Sequence, residues 1–149
     1  MKIKYNRITV QFTAGEALSE GDVVYISGTN EVKKASASVA AKVVGVADHA
    51  ADAGDPVDVV IYGVKEVVAD GAISVGDRVI AGDTAGRVKT ENNITSAGHH
   101  HTENQEASYT QNTTTADATD TIEAGRTLGK ALSAASAAGE TIKILVCLA

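Results

Sequence analysis

The stretch ALSEGDVVYISG, from Ala17 to Gly28, recurs fifty-five residues later as AISVGDRVIAGD, from Ala72 to Asp83. In both copies a Gly-Asp pair, which suits a tight turn, precedes a run of β-branched residues, which favours a strand. The similarity continues downstream, where the segment from Gly45 to Gly54 matches the segment from Gly129 to Gly139 within one residue. The repeat therefore predicts two copies of one strand-and-turn unit, which is an architectural duplication rather than a catalytic site.

Strand signals dominate the rest of the chain as well. Short runs rich in Val and Ile alternate with turns that contain Gly, Asp or Asn: ITVQF, DVVYIS, AKVVGVA, VDVVIYGVKEVVA, DRVIAG, GRVKT and TIKILVCLA. The stretch GKALSAASAAGE has alanine helix propensity but lacks an apolar stripe longer than about two turns. We therefore predict an all-β protein, a pseudo-repeated β-barrel or sandwich domain with a long Thr-rich insertion in the second repeat.

The predicted insertion covers residues 90–121. It contains nine Thr, no Lys or Arg, and only Ile94 and Tyr109 as conspicuous large apolar residues. A segment of this composition cannot bury enough surface to form its own core. It fits a long surface loop, a small β-excursion or a segment ordered against a neighbouring subunit. The predicted organisation is thus an N-terminal arm or first strand over residues 1–12, and a β-rich domain over residues 13–149 that the insertion interrupts.

Composition argues against several classes of protein. The net charge of −6 in 149 residues disfavours a general nucleic-acid binder, which needs a basic face. The start of the chain lacks the apolar region of a secretory signal, and no window approaches the ~18 apolar residues of a membrane span. We therefore expect no nucleic-acid or membrane partner and synthesis in the cytoplasm. With no Trp and one Phe, the core depends on aliphatic residues, which favours oligomerisation.

The first twelve residues combine basic charge with strand alternation. No acidic residue precedes Glu16, while three of the thirteen basic residues lie in the first seven positions. A basic extended arm on an acidic body suits addition to the exposed sheet edge of a partner. A first strand within the protein's own sheet fits the same pattern equally well. The residues that would bind a partner in the arm interpretation are Lys2, Lys4, Arg7, Ile8, Val10 and Phe12.

Two segments contain residues that can ligate a metal. In GHHHTENQE, His99 and His101 would lie on one face of an extended strand, a spacing that can place two imidazoles on one metal ion. Three subunits meeting on an axis would bring three such pairs together, whereas the alternative is a solvated histidine run. In VADHAADAGD, the acidic residues around His49 suit either a hard cation or a solvated turn. Otherwise no cofactor is expected.

Motifs for catalysis are missing from the sequence. No Ser, His and Asp combination stands in a G-x-S-x-G context, and no phosphate-cradling Walker sequence occurs. A small trimeric β enzyme, such as a nucleotide hydrolase of the dUTPase type, would need an acidic water-activating residue and ordered phosphate-binding motifs that cannot be assembled here. We therefore predict that the protein is not an enzyme.

The order of four motifs resembles the capsid cement, or decoration, proteins of tailed bacteriophages. These motifs are AGEALSEGDVVYIS, VVGVADHAADAGDPVDVVIYGV, ADGAISVGDRVIAG and AGRTLGKALSAASAAGETIKILV. The resemblance covers about residues 13–89 and 124–148. It implies a β-rich decoration domain on the outer surface of the virion, commonly a homotrimer, which binds the major capsid protein and stabilises the head. The family offers no catalytic residues to carry over.

A head-fibre tip, or a receptor- or glycan-binding protein, is the alternative function. In that case the Thr- and Asn-rich insertion would form the binding surface. Carbohydrate binders usually present aromatic platforms, and the insertion contains Tyr109 as its one aromatic residue.

The histidine pair gives a first testable prediction. If His99 and His101 from several chains share a metal, a chelator should lower the melting temperature, and changing both residues to Ala should abolish that shift. The measurement is thermal unfolding with and without chelator. A melting curve that responds to neither change would leave the solvated histidine run as the correct interpretation.

Overall fold

The computed structural model describes residues 7–91 and 127–148. These residues form nine strands and one short 3-10 helix over Ala37–Lys42. The strands are β1 (Ile8–Ala14), β2 (Val23–Gly28), β3 (Glu31–Lys34), β4 (Val43–Ala47), β5 (Pro56–Val68), β6 (Arg78–Ala81), β7 (Val88–Thr90), β8 (Gly129–Ala131) and β9 (Thr141–Cys147). The protein is therefore all-β, as the sequence predicts.

The first five strands form a closed barrel. Their order is β1-β3-β2-β4-β5, and antiparallel pairing of β1 with β5 closes the ring. Closure satisfies the backbone groups that an open sheet would expose at its edges. Side chains from alternate positions fill the interior because successive residues of a strand point to opposite faces. The interior residues are Ala14, Leu18, Val24, Val32, Ala47, Val57 and Val59.

The second half of the chain repeats this arrangement. Its order is β5-β9-β8-β6-β7, and a parallel bridge from Ala69 to Val88 joins the end of β5 to β7. The registers correspond as well, since Val24 pairs with Gly45 in the first half and Val79 with Gly129 in the second. β5 therefore serves both halves, as the last strand of the first barrel and the first strand of the second. The predicted pseudo-repeated barrel is confirmed.

The repeated Gly-Asp pair forms the same turn twice. Gly21 and Gly76 both have a φ of +87°, a conformation that a residue with a Cβ rarely adopts. The carboxylates of Asp22 and Asp77 each accept a hydrogen bond from the amide of the serine three residues earlier, at 2.8 and 2.9 Å. The motif that recurs in the sequence is thus a local hydrogen-bonded turn that starts β2 and β6.

The two barrels differ in how their outer faces are covered. Three valines on the outer face of the first barrel have no exposed surface and belong to the same apolar cluster as the interior of the second barrel. These are Val23, Val46 and Val60. Their counterparts by register are Arg78, Lys130 and Leu145, of which the two basic residues are exposed. Duplicated positions have therefore taken apolar or charged residues according to what covers them.

The connection between β3 and β4 also joins the barrels. Its 3-10 helix lies against the end of β6, where the amide of Ala37 donates to the carbonyl oxygen of Gly82 at 2.8 Å. The amide of Gly86 donates to the carbonyl oxygen of Ala35 at 2.9 Å. In the second barrel the corresponding connection, between β7 and β8, contains residues 92–126, which lie outside the described residues. The predicted insertion over 90–121 therefore lies outside them too, apart from Glu91 and Thr90, which ends β7.

The structure adds elements that the sequence patterns did not predict. β3, β8 and the 3-10 helix were missed because each contains at most one β-branched residue and is too short to show a period. For the first twelve residues, the structure places Ile8 to Phe12 in the protein's own sheet as part of β1. Residues 1–6 lie outside the described residues.

The close packing of strands at Gly45 gives a second prediction. A Cβ at Gly45 would overlap the carbonyl oxygen of Val60, and a Cβ at Gly129 would overlap that of Leu145. We expect Gly45→Ala to lower the free energy of unfolding by about 1–3 kcal/mol, because β4 must move away from β5. The measurement is urea unfolding.

The control for this prediction is Gly28→Ala. There the nearest atom to an added Cβ, the Cβ of Glu31, is 3.7 Å away, which is an ordinary contact. Gly28→Ala should therefore change stability much less. Equal losses in the two variants would show that the close approach at Gly45 does not constrain the barrel.

Candidate functional site

The predicted arm residues divide between the barrel and its surface. Phe12 is half-buried and packs against the interior of the first barrel. Ile8 and Val10, on the same strand, are 56% and 40% exposed. Lys2 and Lys4 lie outside the described residues. β1 thus holds the base of the arm in the sheet and leaves two apolar side chains in contact with solvent.

An apolar patch forms where β1, β5 and β9 run side by side. Ile8 pairs with Tyr62, and Tyr62 pairs with Cys147, which precedes Leu148. Tyr62 is 52% exposed and Leu148 is 43% exposed. We call Ile8 and Tyr62 the seam patch, because they face each other where β5 passes from one barrel to the other. Adjacent exposed large apolar residues are typical of interaction sites.

An ionic network lies beside the seam patch. The Nζ atom of Lys65 lies 2.6 Å from Oε1 of Glu20 and 3.2 Å from Oδ1 of Asp48. That Asp48 oxygen also accepts a hydrogen bond from Nη1 of Arg7 at 2.7 Å. The Lys65 side chain is only 3% exposed. Since a buried ammonium is costly unless it is paired, the two carboxylates are required by Lys65.

The network connects the start of β1 to the body of the protein. β5 takes the place of β1 in the second barrel, and by register Lys65 corresponds to Val10. A valine in the first barrel is therefore replaced by a buried lysine in the second. Its partner Asp48 also binds Arg7, which directly precedes β1. Within residues 7–91 and 127–148, no buried side-chain nitrogen or oxygen lacks a hydrogen-bond partner. The network therefore ties Arg7, the residue before β1, to the buried position of Lys65 on β5.

The carboxylates of this network have altered pKa values. The hydrogen bond and charge of Lys65 lower the pKa of Glu20 below its usual 4.5. Burial by itself raises the pKa of Asp48, but the hydrogen bond and charge of Lys65 and the charge of Arg7 outweigh it and lower the pKa below 3.8. Both groups are therefore ionised at neutral pH.

The acidic loop around His49 is not arranged around a cation. Nε2 of His49 accepts a hydrogen bond from the amide of Asp58 at 3.2 Å, and Nδ1 lies 2.9 Å from the carbonyl oxygen of Ala50. Asp48 faces Lys65 and Arg7, while Asp52 and Asp55 are exposed. In the part of the chain that the structure describes, no three His, Cys, Asp or Glu residues are grouped as metal ligands. His99 and His101 lie outside that part.

A second surface feature is a shallow groove of about 480 Å³ at the end of β2. Pairing between β2 and β4 ends at Tyr25 and Val43, so the last residues of β2 diverge from β4. Ile26, in the groove, is 46% exposed. We call this the β2 groove. Its lining residues are Ile26, Ser27, Gly28, Ala41, Lys42, Val43 and Val44.

The sequence patterns predicted none of three features: the seam patch, the buried Lys65 and the β2 groove. The one local signal was Lys65, a single charge next to apolar residues in the run VDVVIYGVKEVVA. The seam patch joins residues from two distant segments, so no local pattern contains it. Among the residues that the structure describes, no helix is long and apolar enough to cross a membrane.

Two five-stranded barrels that share the strand β5 define an all-β protein built on an internal duplication. A model of the phage cement protein family matches residues 3–148. The chain belongs to this family, and it is a structural protein of the phage virion.

Comparison with solved structures agrees on the fold. The chain is similar to the head fiber gp8.5 N base of bacteriophage phi29, with a TM-score of 0.55 and 15% sequence identity. The similarity covers 95% of this chain and 94% of the other. A search of curated proteins finds no significant match.

The ionic network predicts how stability depends on pH. A carboxylate whose pKa is lowered by folding stabilises the native state fully above its unfolded pKa, and this contribution is lost as the pH falls through its folded pKa. The stability of the wild type should therefore fall on going from about pH 6 to about pH 3. Asp48→Asn should reduce stability at neutral pH and flatten this dependence, as measured by urea unfolding.

The control for the pH experiment is Asp83→Asn. Asp83 lies 2.7 Å from Nζ of Lys89, but its side chain is 76% exposed. An exposed pair contributes little, so this variant should keep the pH dependence of the wild type. If Asp48→Asn also keeps it, the network does not stabilise the fold.

Proposed function

We propose that the protein binds the outer surface of a phage capsid as a homotrimer, with the major capsid protein as its partner, and stabilises the head. Membership of the phage cement protein family supports this role. The observation that carries it furthest is the seam patch, whose residue Ile8 directly follows the basic start of the chain in the sequence. The patch provides an apolar contact surface, and the residues before it in the sequence carry positive charge in an otherwise acidic protein.

The seam patch and arm indicate the chemistry of the partner surface. Ile8 and Tyr62 offer apolar area, and a partly exposed tyrosine is a frequent centre of binding energy. Lys2, Lys4 and Arg7 precede any acidic residue. A capsid surface that is apolar with acidic residues around it would complement both features. Many copies with modest contacts would then reinforce a shell without any strong single site.

Head binding is tested with purified heads that lack the protein. We expect the wild type to co-sediment with the heads and to raise the temperature at which they release DNA. Tyr62→Glu should weaken binding at least about tenfold while the variant stays folded, because it places a negative charge against an apolar surface surrounded by acidic residues. If the wild type does not co-sediment with the heads even at high concentration, the proposal is wrong.

The arm is tested separately by deleting residues 2–6, which leaves β1 complete. This variant should fold as the wild type does but bind heads more weakly, and its binding should respond less to salt. Lys143→Gln, which removes one exposed basic charge from β9, is the matched control. If the deletion binds as the wild type does, the arm is only the start of the first strand.

A head-fibre protein is the second candidate function. It is favoured by the likeness to the base of a head fibre, a likeness that shows the fold alone at 15% identity. Electron microscopy of decorated heads separates the candidates. A cement protein should give density that lies across capsid subunits, whereas a fibre should project from isolated positions.

A further inference from the structure

Residues 8–12, which we call the leading half of β1, are hydrogen-bonded along one edge of the strand. Antiparallel pairing with β5 runs the whole length from Ile8 to Thr13. On the other edge, β3 pairs with β1 only at Thr13 and Ala14. Among the described residues, β5 is therefore the single sheet neighbour of the leading half.

The side chains of the leading half add little packing to this pairing. Four of its five residues are exposed, and Phe12 alone is half-buried against the barrel interior. The second barrel differs at the same positions, where the counterparts of Val10 and Phe12 are Lys65 and Val67, both buried. A strand with few buried contacts opens more readily than the strands of the core. The leading half of β1 is thus a weakly packed part of the first barrel.

The remainder of β1 is held on both sides. The amide of Thr13 donates to the carbonyl oxygen of Asn30 at 2.8 Å, on the side of β3. The amide of Ala14 donates to the carbonyl oxygen of Asp55 at 2.9 Å, at the start of β5. Any separation of β1 from the barrel that begins at Ile8 is therefore expected to stop at Thr13.

At the other end of the leading half, an ion pair ties the chain to the barrel. Nη1 of Arg7 lies 2.7 Å from Oδ1 of Asp48. Asp48 is itself fixed, since its amide donates to the carbonyl oxygen of Asp58 on β5 at 2.8 Å and its carboxylate faces the buried Lys65. The pairing of β1 with β5 is irregular between Ile8 and Thr9, next to this ion pair. The ion pair therefore acts where the strand pairing is interrupted.

We propose that the leading half of β1 opens and closes while the rest of the barrel stays folded, and that the ion pair of Arg7 with Asp48 holds it closed. The open state uncovers Val57 and Val59, which face Phe12 and Val10 and have no exposed surface when the strand is closed. It also frees an edge of β5 at which another chain can pair. The ion pair thus limits exposure of a sticky edge, and this inference concerns the protein without heads, so it does not depend on head binding.

Hydrogen exchange at single amides tests the opening. Because the amide of Thr13 points toward β3, those of Phe12 and Val10 point toward β5 and are protected while the strand is closed. They should exchange faster than the amides of β9, which lies between β5 and β8. Arg7→Gln should speed exchange at Val10 and Phe12 about two- to fivefold, as expected for a partly exposed ion pair, and leave β9 unchanged.

The matched control is Lys89→Gln, which removes the cation of another ion pair with a distance of 2.7 Å, on β7. This variant should leave exchange in β1 as it is in the wild type. Equal acceleration of β1 and β9 by Arg7→Gln would show that β1 opens only with the whole barrel. No acceleration in β1 would show that the ion pair does not hold the strand. Either result would overturn the proposal.

A disulfide between β1 and β5 provides the second test. The amide of Asp58 donates to His49 and its carbonyl oxygen accepts from Asp48, so Asp58 faces its pair Gln11 without backbone hydrogen bonds. Side chains of such pairs lie close enough for a disulfide. In a Cys147→Ser background, oxidised Gln11→Cys with Asp58→Cys should slow exchange at Val10 and Phe12 to the rate of β9, and Arg7→Gln should then have no effect there. Reduction should restore the faster exchange, whereas fast exchange in the oxidised chain would contradict the opening.

Discussion

The shared strand β5 is the constraint on which the rest of the structure depends. Its thirteen residues pair with β1 and β4 on the side of the first barrel and with β9 on the side of the second. Neither barrel closes without it. Neighbouring strands must lie close enough to β5 and β9 that Gly45 and Gly129 have no room for a Cβ. The duplication is therefore continuous at the level of backbone hydrogen bonds, and the two halves depend on each other for folding.

Equivalent positions in the two barrels have diverged wherever their surroundings differ. Val23 is buried between the barrels, while its counterpart Arg78 is exposed. Val10 faces solvent at the seam, while its counterpart Lys65 is a buried cation between two carboxylates. The backbone repeats, but burial and charge do not. Comparison of the two halves thus separates residues required by the barrel from residues available for binding.

The exposed large apolar residues of the described chain lie in four places. These are β1 with the facing Tyr62, the β2 groove, the surroundings of the turn between β8 and β9, and Leu148 after β9. In the described chain, the ionic network of Lys65, Glu20 and Asp48 also binds Arg7. It joins the residue before β1 to a buried position on β5, so its role is structural.

The sequence by itself determined the all-β class, the duplication and the family, because Gly-Asp turns and β-branched runs are local signals that recur in order. The structural equivalence of β2 and β6 could be predicted from the stretch that starts at Ala17 and recurs at Ala72. Only the tertiary structure decided that one strand serves both barrels, that Ile8 meets Tyr62, and that Lys65 is buried beside Asp48. These contacts join residues that are distant in the sequence, 17 positions apart for Asp48 and Lys65. Their burial depends on which faces meet in space, and no local pattern contains that information.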